Sequence, residues 1–176
     1  MKIFVAGTWE DHKTKSYSDS GFLLGKRIAE KGYDLSCGPG TGISKYVIQG
    51  YASIKNRGKI WCYLPSKEEM EKVGEKIGDG IDEIIQTEYD YPMRNLFQIK
   101  QSDAVIIITG EGGTLEEAMC ALIDYKIPVA VLKDSGKAAK SLELLENIFV
   151  SWKVNLLISD NVDNIIKYID VSLSKK

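Results

Sequence analysis

A single histidine, His12, stands in a chain of 176 residues. That scarcity argues against a histidine-built zinc centre and against a Ser–His–Asp relay, since both need imidazole. Cysteine is scarce too. Cys37, Cys62 and Cys120 are odd in number and lack the paired spacing of metal or redox motifs, so they read as reduced, partly buried thiols of an intracellular protein. Net charge is small, formally −2, which argues against sequence-independent nucleic-acid binding, a mode that requires a basic surface, and leaves room only for a local basic cleft. Nucleic acid is therefore disfavoured as a partner. No apolar run is long enough to span a bilayer, and the opening MKIFVAG is too soon interrupted to be a secretory leader. The expectation is a soluble, cytoplasmic protein with no membrane partner. Low-complexity stretches, solenoid repeats and linkers are missing as well, so residues 1–176 are read as one domain. The Gly-x-x-x-x-Gly-Lys-Ser/Thr pattern is also absent, so ATP hydrolysis of that kind is not indicated.

What is present is organised around Ala104–Ala118, AVIIITGEGGTLEEA. Its apolar, isoleucine- and valine-rich opening reads as a strand buried on both faces. Gly110, Gly112 and Gly113 follow as a turn, and Thr114 is read as the start of a helix. The rest of the chain repeats the alternation. Strands are expected at Lys2–Ala6, Asp34–Cys37, Lys59–Leu64, Ile81–Thr87, Pro128–Leu132 and Asn155–Ile158. Helices are expected at Ser18–Lys31, through Val47 to Ile54, and at Glu68–Ile77, Tyr91–Ser102, Ser141–Trp152 and Val162–Leu173. Thr8–Lys15 is polar and reads as a loop over the carboxyl end of the sheet. Strict strand–helix alternation implies an α/β protein with an open, mostly parallel sheet sandwiched by helices, a Rossmann-like arrangement. Ligands of such sheets bind outside the carboxyl ends of the strands. Exposed N–H groups and the positive end of a helix dipole suit an anion there, most often a phosphate.

A second glycine-rich turn, GPGTG at Gly38–Gly42, also joins a strand to a helix. Either turn alone is equally well a tight packing turn. Two at one sheet edge can face each other across a crevice and hold a nucleotide. GPGTG lacks the full G-x-G-x-x-G fingerprint, and Pro39 has no N–H to offer. Arg94, at the start of the helix leading into the central strand, is the candidate cation at this edge; the alternative is a solvated helix-start arginine. Glu117 has two readings. In TLEE, Thr114 and Glu117 fit a capping box, in which the glutamate reaches back to the Thr114 N–H. Otherwise Glu117 is a catalytic or ribose-binding carboxylate. Glu111, Glu116 and Glu117 together crowd an anion site with negative charge. Asp103 reads as structural. Tyr51, Tyr89 and Tyr91 are placed to stack on a base or simply to pack.

GPGTG, then Met93–Asn95, then SDAVIIITGEGGTLEE, taken in that order, resemble the LOG (Lonely Guy) family of the wider SLOG superfamily, formerly described as lysine-decarboxylase-like. The likeness covers about Lys2 to Leu132 and is closest to the bacterial branch labelled DNA-processing A-like. The family motif P-G-G-x-G-T-x-x-E falls on Thr109 to Glu117. Gly110, Gly113, Thr114 and Glu117 match it, while Thr109 replaces its proline and Glu111 its second glycine. The resemblance implies a Rossmann-like homodimer, or a higher homo-oligomer, that cleaves the N-glycosidic bond of a nucleoside 5′-monophosphate. AMP or an N6-substituted AMP would be the substrate, with no metal and no organic cofactor. Arg94 and Glu117 fall on the catalytic pair. Gly110, Glu111, Gly112, Gly113 and Thr114 would meet the phosphate. Gly38, Gly40, Thr41 and Gly42 would frame the other side, and Gly7 and Thr8, at the first strand's end, would also bind the substrate. A non-catalytic SLOG-type sensor of nucleotides or ADP-ribose derivatives is the alternative. The opening IFVAGTW also resembles nucleoside 2-deoxyribosyltransferases.

Overall fold

A computed structural model describes residues 1–175. Seven strands form one sheet: β1 (Lys2–Ala6), β2 (Asp34–Cys37), β3 (Ile60–Leu64), β4 (Glu83–Gln86), β5 (Ala104–Ile107), β6 (Val129–Leu132) and β7 (Leu156–Ser159). They lie in the order β4-β3-β2-β1-β5-β6-β7, and every neighbouring pair is parallel. The eight α-helices are α1 (Ser18–Glu30), α2 (Ile43–Ala52), α3 (Lys67–Val73), α4 (Tyr91–Lys100), α5 (Gly112–Ile123), α6 (Lys137–Leu144), α7 (Glu146–Trp152) and α8 (Val162–Leu173). The expected doubly wound α/β architecture is what forms.

Period-two side chains divide the core in two. Ile3, Val5, Leu35, Ile60, Ala104 and Ile106 point to the face covered by α1, α2 and α8. Phe4, Ala6, Val105, Ile107, Val129 and Val131 point to the other, under α4, α5 and α6. Both faces of β5 and β6 are therefore apolar, which explains their unbroken hydrophobic runs. β4 lies at the edge and alternates between half-buried and exposed residues, which is why its sequence signal is faint. Among the described residues no helix is long and apolar enough to cross a membrane.

The chain leaves β1 for β2 on one side, and β5 later pairs with β1 on the other. The strand order thus reverses between β1 and β5, and a crevice opens there at the carboxyl ends.

Several expected boundaries move. The helix expected over Ser141–Trp152 is two helices, broken at Leu145, and starts four residues earlier, at Lys137. No glycine or proline marks that break; the turn seats Phe149 against the sheet, 2% exposed. α3 stops at Val73 instead of Ile77 because Gly74 takes the left-handed conformation, φ 66°. The polar loop after β1 winds into 3-10 turns at Asp11–Lys13 and Lys15–Tyr17.

Candidate functional site

α5 begins at Gly112, not at Thr114, and its N-cap residue is Glu111, whose side chain makes no capping hydrogen bond. Thr114 is then the third helical residue and Glu117 the sixth, a turn too deep to reach back to the cap. The capping-box reading is therefore set aside by the position of the helix start. Glu117 instead faces a cavity of about 300 Å³ at the β1/β5 crevice. Arg94, Gly7, Gly38, Gly113 and Thr114 line the same cavity, so sequence reading finds this much of it. Trp9, Val73 and Glu75 line it too and were not foreseen, and Tyr91 and Asn95 complete that wall.

Arg94 is not the solvated helix-start arginine that a lone one usually is. Asp90 caps α4 by accepting from the Met93 N–H at 2.9 Å, and Pro92 fits the first turn. That register turns Arg94 inward, to 8% exposure. Its Nη1 donates to Gln98 Oε1 at 3.1 Å, and Gln98 Nε2 donates to Ser36 Oγ at 2.9 Å and to the Cys37 carbonyl at 3.3 Å. The carbonyl can only accept, which fixes the amide so that its oxygen faces the arginine. The guanidinium also lies 5.4 Å from the Tyr91 ring centre. Arg94 Nε is buried without a partner, and so is Asn95 Oδ1.

Glu117 is 8% exposed. Burial pushes its carboxyl up to about 7; the Arg94 charge pulls it down, and Glu116 pushes it further up. Carboxyls shifted in this way by burial inside a cleft cluster at functional sites, which makes Glu117 a candidate.

Glycines 112 and 113 have no packing reason to be glycine. A Cβ built on either meets nothing within 4 Å, and neither has a positive φ. They leave open the space in front of the first N–H groups of α5, which have no intrahelical acceptor. Gly110 differs: its φ is +88°, and a Cβ would come within 2.2 Å of the Thr114 hydroxyl.

Other expected residues lie outside the cavity lining. Glu111 does not crowd the site; its carboxylate pairs with Lys137 at 2.9 Å and Lys13 at 3.2 Å, and these two cations hold it below the usual carboxylate range. Gly40 touches the backbone of Gly78, whose N–H donates to the Pro39 carbonyl at 2.6 Å. The Gly42 N–H is taken by Asp11 Oδ1 at 2.9 Å. GPGTG therefore offers the cavity only Gly38 and Pro39, and its later residues dock the segment after α3 and the loop after β1. Thr41 lines an adjoining hollow with Trp9, Asp11 and His12. The Thr8 N–H is bonded to Thr109 Oγ1 at 3.1 Å. Tyr51 cannot stack on a base: it is 0% exposed, and its hydroxyl donates to the Tyr33 carbonyl at 2.6 Å. Tyr89 packs on Phe97, whereas Tyr91 stands at the cavity with its hydroxyl on Glu75 at 2.9 Å. Asp103 is structural as expected, accepting from the Lys2 N–H at 2.8 Å. All three cysteines are buried free thiols, and burial raises the Cys62 thiol to about 12 and the Cys120 thiol to about 11.

Residues 1–164 match the model of the SLOG cluster4 family. A probable cytokinin riboside 5′-monophosphate phosphoribohydrolase of Oryza sativa subsp. japonica is 33% identical over 132 residues, 70% of this chain. The chain spans about half of that relative, 50% of its length. Among solved structures, the structural-genomics protein TM1055 superposes with a TM-score of 0.81 at 23% identity, covering 97% of this chain and 98% of its own. A molybdenum cofactor binding protein of Rippkaea orientalis superposes at 0.74 and 24% identity, covering 98% and 95%. At these identities the two structures bear on the fold alone.

Proposed function

Since the chain belongs to the SLOG cluster4 family, we propose that it hydrolyses the N-glycosidic bond of a nucleoside 5′-monophosphate, AMP or an N6-substituted AMP, releasing base and ribose 5-phosphate. One observation carries the reading: a buried arginine with an unpartnered Nε lies in one cleft with a buried carboxyl poised near neutrality. The rice relative, a probable cytokinin riboside 5′-monophosphate phosphoribohydrolase, supports the class of reaction.

In this reading the 5′-phosphate sits against the N–H groups of Gly112 and Gly113 and the Thr114 hydroxyl, where the positive end of α5 favours an anion. The base leans toward Trp9 and Tyr91. As the bond from the anomeric carbon to the base nitrogen breaks, its electron pair leaves with the base, which takes up a proton from solvent. Positive charge develops on the sugar, as in glycoside hydrolysis. The Glu117 carboxylate stabilises that charge and directs a water to the anomeric carbon, accepting the water's proton as the new C–O bond forms. Arg94 holds the sugar or phosphate by charge-assisted hydrogen bonds. The protein works as a homodimer, a state supported by the apolar side chains of Leu144, Val150 and Trp152 left exposed around α7.

The test is incubation with AMP and N6-substituted AMPs, with chromatography of the products. Free base is expected; its absence from every nucleotide at high enzyme concentration removes the proposal. A second reading, a pocket that binds a nucleotide without cleaving it, draws on the same Glu117. A carboxyl titrating near 7 is protonated in a large share of molecules at neutrality and then cannot act as a base. Thermal-shift screening separates the two: a sensor is stabilised by a nucleotide that is recovered intact.

A further inference from the structure

The chain turns at the end of β5 through two consecutive residues of positive φ, Thr109 at 69° and Gly110 at 88°. Glycine takes that conformation freely, but threonine, branched at Cβ, is among the residues least suited to it. Such residues persist only where their surroundings over-determine them, and they cluster at functional sites. Thr109 is buried and held from three sides. Its N–H donates to Ser135 Oγ at 3.0 Å. Its Oγ1 accepts from the Thr8 N–H at 3.1 Å. Gly136 packs on its backbone so closely that an added Cβ would stand 3.1 Å from Thr109 Cα.

The bond to Thr8 is the informative one. β1 and β5 stay in register up to Ala6 and Ile107, and the Ile108 N–H still reaches the Ala6 carbonyl at 3.0 Å. Beyond that point the two chains part and form two lips of the cavity. One lip carries Gly7 and Trp9, the other Gly113 and Thr114. The Thr109 hydroxyl oxygen joins them one step past the strands. This bond is buried, so water does not compete for it. A second link between the same segments, Lys13 to Glu111, is exposed and screened.

We propose that Thr109 is a positioning residue, whose hydroxyl fixes the spacing of the two lips so that one ligand engages both at once. That this ligand is a nucleotide rests on the reading above, in which phosphate meets the α5 lip and the base meets Trp9. Thr109 lies outside the cavity lining and acts through Thr8 and the glycine turn. A ligand that spans both lips loses affinity when they drift, because binding at one no longer places it for the other. AMP is such a ligand. Inorganic phosphate touches the α5 lip alone and does not depend on the spacing.

The experiment is titration calorimetry of the intact protein with AMP and with inorganic phosphate. Hydrogen exchange of the ligand-free protein is followed over residues 8–17 and 110–114. Thr109→Val removes the acceptor and keeps the branching; Thr109→Ala removes it with less strain at positive φ and stands in if valine does not fold. Thr109→Ser keeps the acceptor. AMP affinity should fall about ten- to a hundredfold in the hydroxyl-free variants and stay within about threefold of wild type in Thr109→Ser. Phosphate affinity should stay within about threefold throughout. Exchange should quicken over both segments in the hydroxyl-free variants and not within β1 and β5. Loss of phosphate affinity equal to the loss of AMP affinity would mean general damage to the site and overturns the inference, as does a serine variant that behaves like valine. Unchanged AMP affinity without the hydroxyl overturns it and leaves the nucleotide reading standing. Quickened exchange at both lips in a protein whose wild type binds no AMP keeps the tie and removes the nucleotide reading.

Discussion

The Glu117 carboxyl is pulled two ways, and the balance can be measured. Its folded value of about 7 lies above the ordinary 4.5, so the folded chain holds that proton more tightly than the unfolded chain does. The stabilising contribution is full below about pH 4.5 and is lost as pH rises through 7. Glu117→Gln cannot ionise. Relative to wild type it should gain up to about 3 kcal/mol above pH 7 and almost nothing at pH 4. Urea unfolding at both values checks this, and a gain independent of pH would contradict the assigned titration. Activity should move the other way. Base release by wild type should rise with pH through about 7 and then level, and Glu117→Gln should lower kcat by about a hundredfold or more. A flat pH–rate profile between 5 and 9 would remove Glu117 from the role of base. Glutamate and arginine were legible here by their place in the motif. Gln98 was not, because nothing in a helical pattern says that one buried amide reaches across to β2.

At the scale of elements, glycines that look alike in sequence do different things. α1 and α2 cross so closely that a Cβ on Gly25 would stand 1.9 Å from the Val47 carbonyl oxygen, and one on Gly50 would stand 1.8 Å from that of Phe22. Alanine favours a helix interior by about 1 kcal/mol over glycine, but backbone-to-backbone overlap cannot be relieved by a rotamer and costs roughly 1–3 kcal/mol. Gly50→Ala should therefore be destabilising on balance, by up to about 2 kcal/mol in urea titration. Gly113→Ala should behave in the opposite sense. No atom lies within 4 Å of its Cβ position, so the ligand-free protein should gain a few tenths to about 1 kcal/mol. Nucleotide affinity should fall about tenfold or more, since the methyl group stands where a phosphate would accept. A variant that is both more stable and still binds would show that the open space in front of α5 has no ligand. The strand–helix order was readable from period-two and helical patterns. The break at Leu145 was not, because no glycine or proline marks it and the buried Phe149 beyond it is one apolar residue among several.

For the whole molecule, the strand reversal at β1 and β5 brings together residues that are distant in the chain. Gly7, Gly38, Arg94 and Glu117 come from four separate connections and meet at one edge. Assembly is the measurable property at this scale. Sedimentation of the full chain should give twice the 19.6 kDa of a single chain. A monomer at micromolar concentration would remove the homodimer from the proposal, and replacing Val150 and Trp152 with polar residues should shift a dimer toward monomer if α7 is the contact.

By itself the sequence determined the α/β class, the parallel sheet and the edge at which the cavity opens. Those follow from hydrophobic periodicity and glycine placement, which act over a few residues. It also brought Arg94 and Glu117 forward as a pair. Only the tertiary structure decided that α5 starts at Gly112, which frees Glu117 from capping and turns it into the cleft. It also decided that most of GPGTG is used in packing, that Glu111 is neutralised by two lysines, and that Arg94 Nε and Asn95 Oδ1 are left without partners. Each depends on which distant backbone comes within a few ångströms, and side-chain spacing along one element carries no record of that.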